Sequence, residues 1–209
     1  MKKEAEKKKN FWLNFIGIFL IVMGLIRIMQ LILFVQPIHI LWLCNHIIVL
    51  IGISILFRSS FWLTAEFIFL FFGQLVWVVV LLLFFIFGIV LPGNSAYLIY
   101  GTLEGLGFLN WVALLVHFLT LPLAFIAILL LNKEEKFAWK GSVLHGLVLV
   151  PFILFFGSFY NLNCFYKPCL EVIPNVPLYP LFVFITYFLI LVIPLNYLVN
   201  WIIRKRNKK

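Results

Sequence analysis

Six apolar stretches, each about as long as a membrane is thick, constrain the fold of this chain more than any other feature of its sequence. They cover residues 11–35, 38–57, 62–88, 109–131, 137–157 and 178–203. A helix of roughly 20 apolar residues crosses a hydrocarbon core of about 30 Å. Spanning β-strands instead alternate in polarity over about ten residues, and these stretches do not. We therefore predict an all-α fold, a polytopic membrane helix bundle of six transmembrane helices.

The composition agrees with a lipid environment. Hydrophobic residues make up 65% of the chain and charged residues only 11%, whereas a soluble globular domain has about 25% charged residues. A lysine-rich start precedes the first apolar stretch, as it would in a signal peptide. That stretch is longer than a signal-peptide core of about 7–15 residues, and no Ala-x-Ala cleavage site follows it. We interpret residues 11–35 as a first membrane span.

The distribution of basic residues predicts the orientation of the bundle. Lysines and arginines occur at the N-terminus, at Arg58, within residues 133–140 and at the C-terminus, whereas the alternate connections contain only Lys167. Connections rich in Lys and Arg stay on the cytoplasmic side. We therefore predict a multi-pass protein of the cell membrane with both termini in the cytoplasm.

This orientation divides the chain into three parts. Residues 1–10 are predicted to be a basic cytoplasmic N-terminus, residues 11–203 the six-helix transmembrane domain, and residues 204–209 a basic cytoplasmic C-terminus. The formal net charge of +9 is explained by basic segments beside anionic lipid. Membrane lipids are the expected partners, and no nucleic-acid partner is predicted.

Polar residues inside the apolar stretches are candidates for a functional site, because each costs several kcal/mol if it is left unpaired in hydrocarbon. Counting about 1.5 Å per helical residue sorts them into two layers. We name the outer layer by its residues: Arg27, Gln30, Cys44, Asn45, His46 and His117. The inner layer contains Glu66 and His145, with Gln74 near the midplane.

The outer layer contains groups that could carry out acyl transfer. A thiol beside a histidine can act as a nucleophile, with Cys44 as the nucleophile and His117 as its base, while Arg27 or Asn45 steadies an oxyanion. His46 is two residues from Cys44 and therefore points to nearly the opposite side of the helix, toward the outer connections. The alternative is structural, with a packing cysteine and histidines that bond helix to helix.

Metal or haem binding finds little support in the sequence. There is no His-Glu-x-x-His and no Cys-x-x-Cys motif, and only His46 and His117 are matched in depth as a haem pair would be. We predict no metal and no cofactor. Glu66 is expected to form a structural pair with His145 or Lys140 rather than a proton relay.

The segment after the fifth stretch contains the remaining candidates. Asn161 and Asn163 would lie at the outer end of that span and are predicted to contribute to binding near the outer layer. Cys164 and Cys169 flank Phe-Tyr-Lys-Pro. They could form a disulfide if the outer side is oxidising, or remain free thiols.

Several short motifs carry a resemblance to known proteins. They are the Trp-Leu-Cys-Asn-His of residues 42–46, Gln74 with Trp77, His117 with Pro122, and the Tyr-Asn-Leu-Asn-Cys of residues 160–164. Together they resemble a family of uncharacterised prokaryotic six-span membrane proteins. More remotely, the chain is similar to the YwaF-like group, which is related to an animal transmembrane acyltransferase that remodels ether phospholipids. This resemblance implies a Cys44 and His117 pair that acts on lipid acyl chains.

Two functions from different classes therefore remain open. The first is a lipid-active acyltransferase or hydrolase, in which Arg27 attracts the lipid phosphate. The second is a non-enzymatic membrane protein, either a small transporter or a binding and assembly subunit. A transporter would favour internal repeats with broken spans in both halves, whereas Pro122, Pro151 and Pro194 all fall in the second half. A homo-oligomer is left open.

Overall fold

The chain is helical almost throughout the part that the structure, a computed structural model, describes: residues 2–34, 37–89, 107–160 and 179–208. The side chains of residues 2, 107–110, 153, 154 and 157–160 lie outside the description as well. Helices take up 92% of the described residues, and there is no strand among them. The all-α prediction is confirmed.

The described helices follow each other along the chain in a simple order. They are α1 (Lys2–Phe34), a 3₁₀ helix (Pro37–Leu41), α2 (Leu43–Leu56), α3 (Ser60–Phe87), α4 (Gly107–Leu131), α5 (Ala138–Tyr160), α6 (Tyr179–Thr186), a π-helical segment (Tyr187–Val192) and α7 (Ile193–Asn207). The last three elements are continuous, so they form one long helix. Because α1 begins at Lys2, the predicted cytoplasmic N-terminus is part of the first helix.

Four helices in the described part of the chain are long and apolar enough to cross a membrane, rather than the predicted six. They are Lys3–Phe34, Ser60–Phe87, Trp111–Leu131 and Tyr179–Asn207. The second apolar stretch is not one long helix, because it divides into the 3₁₀ helix and the 14-residue α2. Pro37, which fixes its own φ and has no N–H to donate, opens this divided segment. The fifth stretch forms α5, which is 23 residues long.

Large apolar side chains cover the outside of the helices. Phe155, Trp111 and Ile190 are 74%, 66% and 63% exposed, and many other aromatic and aliphatic side chains share this exposure. Contiguous apolar surface of this extent is rare on soluble monomers. The hydrocarbon tails of lipids can cover such a surface, so its apolar side chains need no further burial within the protein.

Four segments of the chain meet at one end of the bundle, which we call the basic end. They are the start of α1, the turn between α2 and α3, the connection between α4 and α5, and the last turns of α7. Arg58 donates to Asn14 Oδ1 over 2.6 Å, and Arg204 forms an ion pair of 3.1 Å with Glu134. Ser60 donates to the Glu135 carboxylate. These contacts join segments that are distant in sequence.

Two asparagines of α7 clasp the connection between α4 and α5. Asn200 accepts from the backbone N–H of Glu135 over 2.6 Å and donates to the carbonyl of the same residue over 3.1 Å. Asn196 donates to the carbonyl of Lys136 over 2.7 Å. Both asparagines are buried. The last helix is therefore held to the preceding connection by hydrogen bonds to its backbone.

Helices α1 and α2 approach each other closely through glycines. A Cβ placed on Gly52 would lie 2.8 Å from the carbonyl oxygen of Gly17 and 2.7 Å from Ile21. A Cβ placed on Gly17 would in turn meet Leu56 at 2.7 Å. Small residues allow the two backbones to approach, as in helix pairs packed in lipid. This contact sets the position of α2, which carries several of the site residues.

The π-helical segment lies directly before a proline. Pro194 has no N–H, so the carbonyl four residues earlier, that of Ile190, cannot receive the usual helical hydrogen bond. A wider turn with i to i+5 bonding relieves the defect locally. Phe188 and Val192 of this segment remain buried against the other helices. The last helix thus continues through the proline to reach the basic end.

Candidate functional site

A buried polar cluster joins α1 to α2. Arg27 donates through Nε to Asn45 Oδ1 over 3.2 Å and through Nη1 to Gln30 Oε1 over 2.7 Å. Asn45 donates in turn to the carbonyl of His39 over 2.7 Å. Arg27, Gln30 and Asn45 are each at most 5% exposed. The structure therefore brings together three residues of the outer layer.

The predicted pair of Cys44 and His117 shares Arg27 as an electrostatic neighbour. The guanidinium of Arg27 is close enough to interact electrostatically with both side chains. Cys44 is partly buried and His117 is buried. Within the described part of the chain, no hydrogen bond links the thiol to the imidazole. The catalytic pairing stays a prediction.

His117 is held on three sides by residues of α3 and α4. Its ring stacks on Trp77 with centroids 3.7 Å apart and planes 19° from parallel. Its Nδ1 lies 2.6 Å from the carbonyl of Ala113, one turn earlier in α4. Gln74 donates to the backbone carbonyl of His117. The ring is consequently fixed in one orientation, and Gln74, Trp77 and His117, which belong to the motifs quoted for the resemblance, form one cluster.

The hydrogen bond to the carbonyl of Ala113 determines which ring nitrogen of His117 carries the proton. A carbonyl oxygen can only accept, so the neutral ring of His117 carries its proton on Nδ1. The other nitrogen, Nε2, then has a free lone pair. This is the arrangement that a general base requires.

An apolar groove runs beside His117 between α3, α4 and α7. Its volume is about 440 Å³, within the range of about 300–1,000 Å³ that is typical of ligand sites. The groove walls include Phe67, Phe71, His117, Phe125, Leu195 and Val199. Apart from His117, all residues along the groove are hydrophobic. It can hold an apolar chain with a single imidazole against it.

Sequence reasoning missed this groove, because the spacing of its residues does not stand out from the rest of α3. Phe67, Phe71, Leu75 and Val78 recur at the spacing of one helical face on α3. In an ordinary amphipathic helix such a stripe stands out against polar residues. Here the other faces of α3 are also apolar, so the periodicity is invisible in the sequence.

His46 does not face the outer connections, as the sequence had suggested. Its Nε2 lies 3.1 Å from Nε2 of His145 on α5, and its Nδ1 lies 2.8 Å from the carbonyl of Ile40. His145 also contacts Glu66 of α3, with Nδ1 and Oε2 2.7 Å apart. The pairing of Glu66 with His145 is confirmed. The prediction of two separate layers did not include this contact between His46 and His145.

The reason is that residue counting ignored the reach of the side chains. His46 lies 10 residues before the end of α2 and His145 seven residues after the start of α5. At about 1.5 Å per residue their backbones are roughly 15 Å and 10 Å from the basic end. Two imidazole side chains close such a gap easily. The two predicted layers therefore touch.

Some predicted residues cannot be placed. Asn161, Asn163, Cys164 and Cys169 lie outside the described residues. Among the residues that the structure does describe, no group of three or more His, Cys, Asp or Glu side chains is arranged to hold a metal ion.

Comparisons with known proteins add no relative. No protein-family model, no curated protein and no solved structure matches this chain. The fold and the site define a helical protein with apolar helices of membrane-crossing length, a buried arginine cluster and an apolar groove.

Proposed function

We propose that this protein is a six-span integral protein of the cell membrane with both termini in the cytoplasm, and that it acts on membrane lipids. The alternation of the described helices supports the span count. The basic end contains the start of α1, the α2 to α3 turn, the α4 to α5 connection and the end of α7. Successive segments therefore run in alternating directions, and the positive-inside rule favours the cytoplasm for this end.

The length of the second segment also supports six crossings. The 3₁₀ helix has five residues and α2 has 14. At about 2.0 Å per residue for the first and about 1.5 Å for the second, they extend over roughly 31 Å. A hydrocarbon core is about 30 Å thick. The two elements together are as long as one crossing.

The observation that carries the lipid function is the groove beside His117. It is apolar along its length and has its one imidazole in the wall. An acyl chain can fill the groove and pack against its apolar walls, and an ester at the end of the chain would need a polar group close by. The resemblance to the YwaF-like group implies the same class of substrate.

The proposed chemistry uses Cys44 and His117. The thiol attacks the ester carbonyl of a phospholipid while Nε2 of His117 removes the thiol proton, and the proton then passes to the departing alcohol. A lysolipid leaves and a thioester remains on Cys44. Water or a second alcohol accepts the acyl group in the next step and regenerates the thiol. The positive charge of Arg27 near both residues favours the developing oxyanion or the lipid phosphate.

The test is to look for the thioester directly. A chain with Cys164→Ser and Cys169→Ser keeps Cys44 as its only thiol. After incubation with phospholipid vesicles, intact-protein mass spectrometry should show the mass of one added acyl group. Replacing Cys44 with Ser should abolish this adduct, and His117→Gln should slow its formation by about 10²-fold or more. His145→Gln, on α5 and outside the proposed chemistry, is the matched histidine control and should leave the rate unchanged.

A second candidate is a non-enzymatic binding or assembly protein. The observation that favours it is the bonding of Arg27 to Gln30 and Asn45, because groups that are satisfied within the bundle can serve stability alone. In that case no variant would acquire an acyl adduct. Lipid would still co-purify with the protein, and Val199→Trp, which narrows the groove, would reduce the amount bound.

A further inference from the structure

Three side chains from three helices form a continuous hydrogen-bonded chain outside the groove. It runs from Glu66 on α3 to His145 on α5, then to His46 on α2, and ends at the carbonyl of Ile40. The three distances are 2.7, 3.1 and 2.8 Å. The proposed lipid chemistry does not use these residues. The contact between His46 and His145 is the hydrogen bond that joins α2 to α5 in the described part of the chain.

The donors and acceptors along this chain can be counted. The carbonyl of Ile40 only accepts, so Nδ1 of His46 carries a proton and its Nε2 has a lone pair unless it is protonated as well. If Glu66 is ionised and both imidazoles are neutral, Nδ1 of His145 donates to the carboxylate. Two Nε2 lone pairs would then face each other at 3.1 Å. The observed contact therefore requires one proton more than this state contains.

We propose that Glu66, His145 and His46 form a proton-binding chain, in which one mobile proton is shared between α3 and α2 through the imidazole of His145. One end state has a protonated Glu66 and two neutral imidazoles. In the transfer step, the Glu66 proton moves to Nδ1 of His145 while the Nε2 proton of His145 moves to Nε2 of His46. One O–H bond and one N–H bond break, and two N–H bonds form. Glu66 ends as a carboxylate and His46 as an imidazolium.

The surroundings keep this chain separate from other titratable groups. Glu66 and His145 have side chains that are 6% and 10% exposed, and Phe69 meets the His145 ring edge-on at 5.1 Å. The neighbouring titratable and charged side chains have partners elsewhere. Arg27 of α1 bonds Gln30 and Asn45 and is the electrostatic neighbour of Cys44 of α2. Lys140 of α5 lies over the rings of Phe137 and Trp139. Tyr187 of the π-helical segment donates to the carbonyl of Phe69.

A purely structural pair would behave differently. In a static hydrogen bond the proton stays on one Nε2, and the second nitrogen remains an acceptor at all times. In the proposed chain both Nε2 atoms share the proton, because the carboxylate of Glu66 can take up or release the matching proton at the other end. The two cases differ in the protonation of each imidazole nitrogen, which can be measured.

The experiment is nuclear magnetic resonance of the full-length protein with ¹⁵N-labelled histidine in detergent or vesicles. Single His→Gln variants assign the signals of the four histidines. We expect a coupling across the hydrogen bond between the two Nε2 atoms of His46 and His145, with both nitrogens at shifts intermediate between protonated and unprotonated imidazole. His39→Gln and His117→Gln should leave this signal unchanged.

Glu66→Gln separates a mobile proton from a fixed one. The amide can donate to Nδ1 of His145 and so fix a proton on Nε2 of the same ring. The coupling should then persist, while Nε2 of His145 shifts to the protonated value and Nε2 of His46 to the unprotonated value. The proposal is overturned if the wild type already shows that fixed pattern, if it shows no coupling, or if a metal chelator changes the signal, which would indicate a bound cation in place of the proton.

Discussion

Short polar side chains decide much of the local structure of this protein. Asn200 bonds both polar groups of the Glu135 peptide, and Asn45 bridges Arg27 to the His39 carbonyl. An amide can donate and accept at once, so a single side chain can satisfy two buried groups. Such residues are therefore sensitive positions even though they lie outside the groove.

Replacing Asn200 with Leu is expected to destabilise the protein. The substitution leaves the partly buried N–H of Glu135 without its acceptor, at a cost of about 1–3 kcal/mol for an unsatisfied group. Unfolding in increasing concentrations of denaturing detergent measures the change. Tyr197→Leu, on the exposed face of the same helix at 64% exposure, is the control and should stay within about 0.5 kcal/mol of wild type. Equal stability of the two variants would show that the hydrogen bonds between Asn200 and Glu135 contribute nothing to the stability of the protein.

The residue scale is also where sequence reasoning succeeded and failed most clearly. The polarity of residues inside the apolar stretches pointed to Arg27 and Asn45, and these two side chains bond each other. The same reasoning separated His46 from His145, because depth along a helix says nothing about the direction and reach of side chains from two helices. The clasp by Asn200 was missed because an asparagine near a chain end looks like an ordinary interfacial residue.

At the scale of elements, the close contact between α1 and α2 is a product of glycine. Gly17 and Gly52 face each other across the two helices. Without side chains at these positions, the backbones come near enough for van der Waals contact along the interface. The position of α2 matters because this helix contributes Cys44, Asn45 and His46.

Gly52→Ala tests this contact. The added methyl group would lie 2.8 Å from the carbonyl oxygen of Gly17, and overpacking of this kind costs about 1–3 kcal/mol. Gly73→Ala is the matched control, since a Cβ there meets nothing within 4 Å and Ala favours a helix over Gly by up to about 1 kcal/mol. We expect a lower midpoint of thermal unfolding for Gly52→Ala and an equal or higher one for Gly73→Ala. The reverse order would contradict the packing described for α1 and α2.

Helix positions were largely predictable from hydrophobicity, whereas helix type was not. The predicted third stretch, residues 62–88, corresponds to α3 at Ser60–Phe87, and Ser59 caps it through the N–H of Trp62. The second stretch was expected to be one helix and instead begins as a 3₁₀ turn. A uniform apolar run does not distinguish a 3₁₀ or π turn from an α turn, because every face of such a helix is apolar whatever its number of residues per turn.

At the scale of the whole molecule, the basic end explains how chain segments that are far apart are held in register. Arg204 of α7 reaches Glu134, and Arg58 reaches Asn14 of α1. Exposed ion pairs contribute little stability one by one. Their charges nevertheless mark one end of the bundle as basic, which is the property that orients a membrane protein.

The proposed orientation can be tested with single cysteines. In a background with Cys44, Cys164 and Cys169 changed to Ser, cysteines at positions 3 and 208 should react with a membrane-impermeant thiol reagent only when the cytoplasmic side is accessible. A cysteine at position 95, between α3 and α4, should react only from the other side. Reaction of positions 3 and 208 from opposite sides would exclude the six-span arrangement.

The candidate site could be predicted only in part, for a reason that belongs to the whole fold. The groove is formed by α3, α4 and α7, which are separated by long stretches of sequence, and its residues are chemically like the rest of the surface. Only His117 was marked by polarity. A site made of hydrophobic side chains becomes visible only when the helices are placed side by side.

The π-helical segment has a consequence for how the last helix could vary. A π turn holds one residue more than an α turn over the same length. Removing one exposed residue there, such as Ile190, would take out the extra residue of the wider turn and leave the faces before and after it pointing as they do now. Removing a residue from α7 itself would instead rotate Asn196 and Asn200 by about 100° relative to α6. The π-helical segment is therefore the place in the last helix where one residue can be deleted while Asn196 and Asn200 keep their hydrogen bonds to the preceding connection.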